Sequence, residues 1–307
     1  SVTCVDLDGD GPRELLRGHE DGSLWAASAD GHDARRRRQF DGPVKSTVAV
    51  GDVDGDGQDD LVLQVGGSEL WALRPSGAPL SGFPVSLGAR RDVGDHVFFT
   101  ATPALVDLDG DGPLEIVIGD LDGRLHAVDG HGVERDGWPL TLGAPVLAGA
   151  AVGRDEQGRV LVAASDNDGR VVLVDADGVP EPGWPLDVPT AGGPSAPVLA
   201  DLDLDGRLDL VLAGQSGGVH VFGLDGVIAE GWPYQASGQI LASPAVAELD
   251  GRPGLEVVVG SLDGGLHVLD ARGRVAEASV DPAAEAFAAR GLLVGSPAVA
   301  DLDGDGW

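Results

Sequence analysis

A string of acidic residues and glycines, best seen as "DLDGDG" at residues 107–112, recurs through the chain with nearly constant spacing. No other feature limits the possible folds so strongly, because a chain that repeats itself must stack equivalent units. The copies read "CVDLDGDGPRELLRG" from Cys4, "AVGDVDGDGQDDLVLQ" from Ala49, "ALVDLDGDGPLEIVIGD" from Ala104 and "LADLDLDGRLDLVLAG" from Leu199. Weaker copies are "AVGRDEQGRVLVAAS" from Ala151 and "VAELDGRPGLEVVVGS" from Val246, and "VADLDGDGW" closes the chain. The first acidic position, or its equivalent, falls at Asp6, Asp52, Asp107, Gly153, Asp201, Glu248 and Asp301, at intervals of 46, 55, 46, 48, 47 and 53 residues.

The register inside a unit is tighter than these intervals. Nineteen residues after each start come Trp25, Trp71, His126, Val172, His220 and His267. Thirty-one residues after it come Phe83, Trp138, Trp184 and Trp232, each followed by proline; the first and sixth units lack this aromatic. Length variation therefore falls in one connection per unit, with the longest insertions near "GARRDVGDHVFF" and "DPAAEAFAARG". Each unit offers four short strands; for the third they are "PALVD", "EIVIGD", "RLHAVD" and a segment near "GWPLTL". Short apolar runs rich in Val, Leu and Ile, separated by 49 glycines and 20 prolines, read as strands and turns rather than helices.

Four antiparallel strands in a unit of this length is the pattern of a β-propeller blade. The expected fold is thus all-β: one propeller domain over residues 1–307, with six complete repeats and the start of a seventh. Seven blades fit best, and six or eight remain alternatives. The chain opens on Ser1 and contains no Met, which points to a processed or excised piece of a larger protein, with this domain monomeric within it.

Composition narrows the function. A net charge of −31 argues against nucleic acid and anionic membrane surfaces as partners. No stretch approaches the ~20 apolar residues of a membrane span. The one basic run, Arg35 to Arg38, lies between turn signals and reads as a solvated loop, with an anion-binding patch as the alternative. Cys4 has no partner for an internal disulfide; it reads as a small buried residue of the first strand.

Four carboxylates crowded into nine residues repel one another unless a cation lies among them. Side chains at positions 1, 3 and 5 of a tight turn, a backbone carbonyl at position 7 (Pro113 in the third loop) and an acid at position 9 supply hard oxygen ligands suited to Ca²⁺. Zn²⁺ would require His or Cys, which the loops lack. An EF-hand needs its closing acid at position 12, where this chain has Arg17, Leu63, Ile118 and Leu212. Acidic surface turns without metal are the alternative, since Asp and Gly favour turns.

These stretches, with the "DGRLHAVD" strands and "GWP" turns, resemble the FG-GAP or VCBS repeats of integrin α-chains and secreted bacterial proteins, over essentially the whole chain. The resemblance implies a propeller with calcium loops between the first and second strands of its blades, on one rim. Carried over by position, it implies about four Ca²⁺ ions. They are held by Asp6, Asp8, Asp10 and Glu14; by Asp52, Asp54, Asp56 and Asp60; by Asp107, Asp109, Asp111 and Glu115; and by Asp201, Asp203, Asp205 and Asp209. Asp301, Asp303 and Asp305 form a copy without its closing ligand. The fourth unit (Gly153, Asp155, Gln157, Leu161) and the sixth (Glu248, Asp250, Arg252, Glu256) depart from the pattern and are expected to hold no metal; Arg252 is placed to supply positive charge instead.

No G-x-S-x-G, H-E-x-x-H or P-loop is present, and no catalytic constellation can be picked out. The repeated His and Trp positions read as structural slots, with a histidine metal ring and sugar-stacking platforms as alternatives. The expected function is a non-catalytic binding or adhesion module for a protein or carbohydrate ligand, in a larger secreted or cell-surface protein, bacterial by resemblance. The insertions near Arg90 and Asp281 are its candidate contact loops. The propeller of a polysaccharide-degrading enzyme, such as a rhamnogalacturonan lyase, and a structural spacer are the other readings.

Overall fold

The second strand of each unit is apolar almost without interruption, as in "EIVIG" and "VLVAAS". A strand of that kind must be covered on both faces, and stacked sheets satisfy the requirement. A computed structural model describes residues 2–7, 9, 11–30, 32–88, 101–188, 192–193, 195–249, 251–275 and 293–300. The chain divides into two compact units, Ser1–Ala150 and Ala151–Trp307.

The first unit contains three four-stranded antiparallel sheets. They are β1–β4 (Thr3–Val5, Glu14–Gly18, Ser23–Ser28, Arg35–Gln39), β5–β8 (Ala49–Gly51, Asp60–Val65, Glu69–Leu73, Val85–Ser86) and β9–β12 (Ala104–Val106, Glu115–Gly119, Arg124–Val128, Leu140–Thr141). The second unit contains β13–β16 (Ala151–Arg154, Val160–Ser165, Arg170–Asp175, Leu186–Asp187) and β17–β20 (Val198–Ala200, Asp209–Ala213, Gly218–Gly223, Tyr234–Gln235). Its third sheet, β21–β23 (Ala245–Ala247, Glu256–Gly260, Leu266–Leu269), shows three strands among the described residues. In every sheet the strands neighbour one another in chain order, so each is an up-and-down blade.

The core lies between blades. Leu16, Leu24 and Leu7 of the first pack with Leu61, Leu63 and Leu73 of the second. Val62 and Leu70 of the second pack with Ile116, Ile118 and Val128 of the third. In the other unit, Leu161 and Leu173 meet Leu210 and Leu212, while Val211 and Val219 meet Val257 and Val259. Second strands β6, β10, β14 and β22 are buried at every residue because they are covered on both faces.

The "GWP" segments fasten one blade to the next. Trp184 is buried and donates its indole N–H to the Leu224 carbonyl at 2.9 Å; Trp232 does the same to Ala271 at 3.1 Å. Phe83 and Trp138 are buried too. The preceding Gly183 and Gly231 have φ of +93° and +93°, and a Cβ there would stand 2.2 Å from the Asp225 carbonyl oxygen and 2.1 Å from that of Arg272. Only glycine fits both the dihedral and the approach. Burial of these rings removes the sugar-stacking alternative.

Two local expectations are corrected. Arg35 to Arg38 form strand β4, the outer strand of the first blade, rather than a loop. Arg38 is held there over the Trp71 ring, 4.5 Å from its centroid, and donates to the Gly77 carbonyl at 3.0 Å, so the guanidinium is anchored by an aromatic face of the next blade. Cys4 is exposed, because alternation along β1 turns Val5 toward the core and Cys4 away from it. Among the described residues no helix is long and apolar enough to cross a membrane.

Candidate metal centres

The acidic loops lie between the first and second strands of the blades. Position 9 is the first residue of the second strand and pairs with the last residue of the first: Glu14 with Val5, Asp60 with Gly51, Glu115 with Val106, Asp209 with Ala200 and Glu256 with Ala247. One oxygen of each of these acids accepts the backbone N–H of position 2, from Leu7 (2.8 Å), Val53 (3.2 Å), Leu108 (2.7 Å), Leu202 (3.2 Å) and Leu249 (2.8 Å). That bond fixes the carboxylate at the base of the loop through one of its two oxygens.

Position 1 shapes the turn from the other side. Asp6, Asp52 and Asp107 accept the N–H of the glycine at position 4, at 2.8, 2.7 and 2.6 Å. Asp6, Asp52 and Asp201 accept that of the glycine at position 6, at 2.9, 2.8 and 2.9 Å. In the fifth unit position 4 is Leu204, which takes φ +60° where the other loops use glycine.

Three clusters result among the described residues. Carboxylate oxygens of Asp52, Asp54 and Asp60 lie within 4.8 Å of one another, as do those of Asp107, Asp109 and Glu115, and those of Asp201, Asp203 and Asp205. Each could hold a metal ion. The donors fit a hard divalent cation, being oxygens only and concentrated enough that their charge needs compensation. Burial pushes the Asp60 carboxyl up to about 6, with the Asp54 charge adding to it. Burial pushes Asp209 up to about 6 as well, with Asp201, Asp203 and Asp205 adding to it. Burial also raises Glu115. Asp60 Oδ1 is buried and accepts no hydrogen bond among the described residues, which leaves a negative atom in need of a partner.

Of the residues expected to bind metal, Asp6 and Glu14 sit in the first loop as described, whereas Asp8 and Asp10 lie outside the described residues. So do Asp250, Asp301, Asp303, Asp305, and the contact segments near Arg90 and Asp281. Asp56, Asp111 and Asp209 belong to their loops but fall outside the tight clusters. The fourth unit has no acid at position 9, where Leu161 is buried.

Residues that pattern-reading along the loops misses are arginines, two of which, Arg74 and Arg135, arrive from later in their blades. Arg74, just past β7, donates Nη2 to Asp54 Oδ2 at 2.8 Å and Nη1 to Asp56 Oδ2. Arg135, in the turn after β11, donates Nη1 to Asp109 Oδ2 and to Glu115 Oε1, both at 2.7 Å. In the fourth unit Arg159 bonds Asp155 Oδ2 through Nε at 2.8 Å and Glu181 Oε1 through Nη1 at 2.9 Å.

The repeated histidines do not form a ring of ligands. His126 is buried, with Nδ1 2.7 Å from Glu134 Oε2 and Nε2 3.2 Å from Asp120 Oδ2. Burial opposes its charge, but the hydrogen bonds to Asp120 and Glu134 prevail and push its pKa up to about 9. His220 stacks on Phe222, and burial lowers its pKa. His267 meets Tyr234 Oη at 3.0 Å.

Comparison with known proteins agrees with this architecture. Residues 158–212, which include the Asp201 loop, match the family described as FG-GAP-like repeat. No curated protein matches the chain in sequence. Among solved structures, BBS1N in its complex with ARL6DN superposes with a TM-score of 0.61 at 16% identity, covering 91% of this chain and 82% of that one. BamB from Moraxella catarrhalis gives 0.63 at 18% identity, covering 95% and 76%. The V. cholerae biofilm matrix protein Bap1 gives 0.57 at 22% identity, covering 76% of this chain but only 39% of Bap1. The chain is all-β, built of antiparallel β-propeller blades, and matches the FG-GAP-like repeat over residues 158–212.

Proposed function

We propose that the chain is a calcium-stabilised β-propeller that serves as a non-catalytic binding or adhesion module of a larger secreted or cell-surface protein. One observation carries this reading: equivalent loops each fix a closing carboxylate through the N–H of position 2, and in one of them Asp60 Oδ1 is buried without a hydrogen bond. An all-oxygen donor set with no His or Cys favours Ca²⁺ over zinc. The likeness to a biofilm matrix protein supports an extracellular setting, where millimolar calcium fills loops of modest affinity. The likeness to BBS1N, which is in complex with ARL6DN, supports a protein-binding use of the fold. The ligand is then a protein or a carbohydrate met by loops on the rigid blades.

Two measurements test it. Calcium titration followed by calorimetry should show saturable binding, and excess chelator should lower the melting temperature. Glycan-array screening with a lyase assay on pectic substrates should give binding without turnover. A melting temperature indifferent to chelator would remove the calcium role, and turnover would move the chain among the polysaccharide-degrading enzymes.

A further inference from the structure

The three acidic clusters differ in one respect. Two are already touched by a guanidinium. Arg74 spans Asp54 and Asp56 of the second loop, and Arg135 spans Asp109 and Glu115 of the third, using oxygens of the residues that make up the clusters. Arg74 stands 22 residues after its loop begins, and Arg135 stands 28 residues after its own. The matching positions in the fifth unit are Gly223 and Ala229, which have no charge to offer. Among the described residues no lysine or arginine pairs with Asp201, Asp203, Asp205 or Asp209. The fourth unit differs, because its arginine stands within the loop itself, at position 7, where the fifth unit has Arg207. Its loop has lost the closing acid, its position +28 is Glu181, and Arg159 joins Asp155 to Glu181.

We propose that Arg74 and Arg135 are exchangeable counter-cations: each guanidinium holds its loop together while no divalent cation is bound, and must leave when one binds. The inference rests on the metal-binding reading above and adds a ranking to it. The Asp201 loop binds a divalent cation most tightly, and the Asp52 and Asp107 loops bind it more weakly because they must first release an arginine. The physical reason is that an oxygen 2.7 Å from a guanidinium nitrogen can enter the coordination shell of a divalent ion only by holding two cations close together, which costs Coulomb energy and divides the oxygen's charge between them. Asp60 Oδ1, which no hydrogen bond satisfies, marks where an ion does what Arg74 does not reach. Release also frees two guanidinium groups from their carboxylates, so metal loading redistributes positive charge on the surface while the net charge changes by that of the ions alone.

The test is calcium calorimetry on the full chain and on Arg74→Gln, Arg135→Gln, the double Gln variant and the double Lys variant. Wild type should show tight and weak classes of site. The double Gln variant should convert the weak class, with affinity rising tenfold or more, and Lys should fall between, since a compact ammonium cannot span two carboxylates as a guanidinium does. Melting temperatures supply a second readout, one that a merely structural arginine would not move in the same way. The Gln variants should melt below wild type in chelator and no lower than wild type in excess calcium. Arg159→Gln should melt lower in both. Unchanged affinities, or an equal loss of melting temperature with and without calcium, would overturn the exchange while leaving the metal reading intact. If neither wild type nor the Gln variants respond to calcium, the metal reading fails and the exchange fails with it. If only the Gln variants respond, the arginines block their loops rather than exchange, and both the exchange and the ranking of the Asp201 loop fail.

Discussion

At the scale of single residues, His126 holds a charge in a place where burial alone would forbid it. Its ring bridges Asp120 on the turn after β10 to Glu134 on the turn after β11, and so ties two connections of one blade together. Arg124 adds a further bond, from Nε to Asp120 Oδ2 at 2.8 Å. The folded pKa of about 9 lies above the ordinary 6.5, so the imidazolium contributes stability that is fully present below pH 6.5 and disappears as pH rises through about 9. The contribution is on the order of 3 kcal/mol, since one pKa unit corresponds to about 1.4 kcal/mol. Urea midpoints measured from pH 6 to 10 should fall for wild type and stay nearly flat for His126→Gln, after allowance for the lower starting stability of the variant. Parallel curves would mean that another group carries the pH dependence. The sequence marked His126 only as one member of a repeated slot. Its role depends on Glu134, which occupies the position where the fourth unit has Pro180, and repeat counting alone does not show which slots have gained such partners.

At the scale of elements, the hairpin loop and the "GWP" segment differ in how far their geometry could be read in advance. The loop is local: position 1 accepts from positions 4 and 6, and position 9 accepts from position 2, all within nine residues, so spacing specifies contact. The arginines were illegible because Arg135 meets Asp109 across 26 residues and two strands, where spacing says nothing about proximity. Cys4 and β4 escape the sequence for a related reason, since three-residue β1 and β4, four arginines and a glutamine, carry too little apolar alternation to announce their faces. The aromatic of "GWP" was visible as a repeat, but its purpose appears only when the next blade is present. Trp184 fills the space between blades, meets Phe222 edge-on with centroids 6.1 Å apart, and donates to Leu224. Trp184→Phe should cost about 1 kcal/mol for the lost hydrogen bond, and Trp184→Ala about 3–5 kcal/mol for the cavity as well. Chemical denaturation of the two variants gives both values. Equal losses would show that packing counts for nothing at this site, and a loss under 1 kcal/mol in the alanine variant would show that the ring is not part of the core.

At the scale of the whole molecule, a charge of −31 makes folding depend on how the acidic loops are neutralised. Calcium in tenfold to hundredfold excess over its dissociation constant would stabilise each loop by about 1.4–2.7 kcal/mol. Protonation is the other route to neutrality, and it has the opposite relation to pH. Asp60 and Asp209 have folded pKa values of about 6, against 3.8 when unfolded, so the folded metal-free chain binds these two protons more tightly than the unfolded one. Stability of the chelated protein should therefore rise as pH falls from 6 toward 4, with the gain reduced by carboxylates such as Asp109 and Asp120 whose pKa values are lowered. With calcium present the slope should reverse, because a proton on the closing acid removes a ligand. Melting curves at pH 7, 6 and 5, in chelator and in 10 mM calcium, should therefore converge as the pH falls. Asp60→Asn with Asp209→Asn should flatten the chelator curve and abolish most of the calcium response. The same set of curves separates a cation-filled loop from a plain acidic turn, because an acidic turn without metal gives one pH profile in both buffers, whatever its carboxylates do.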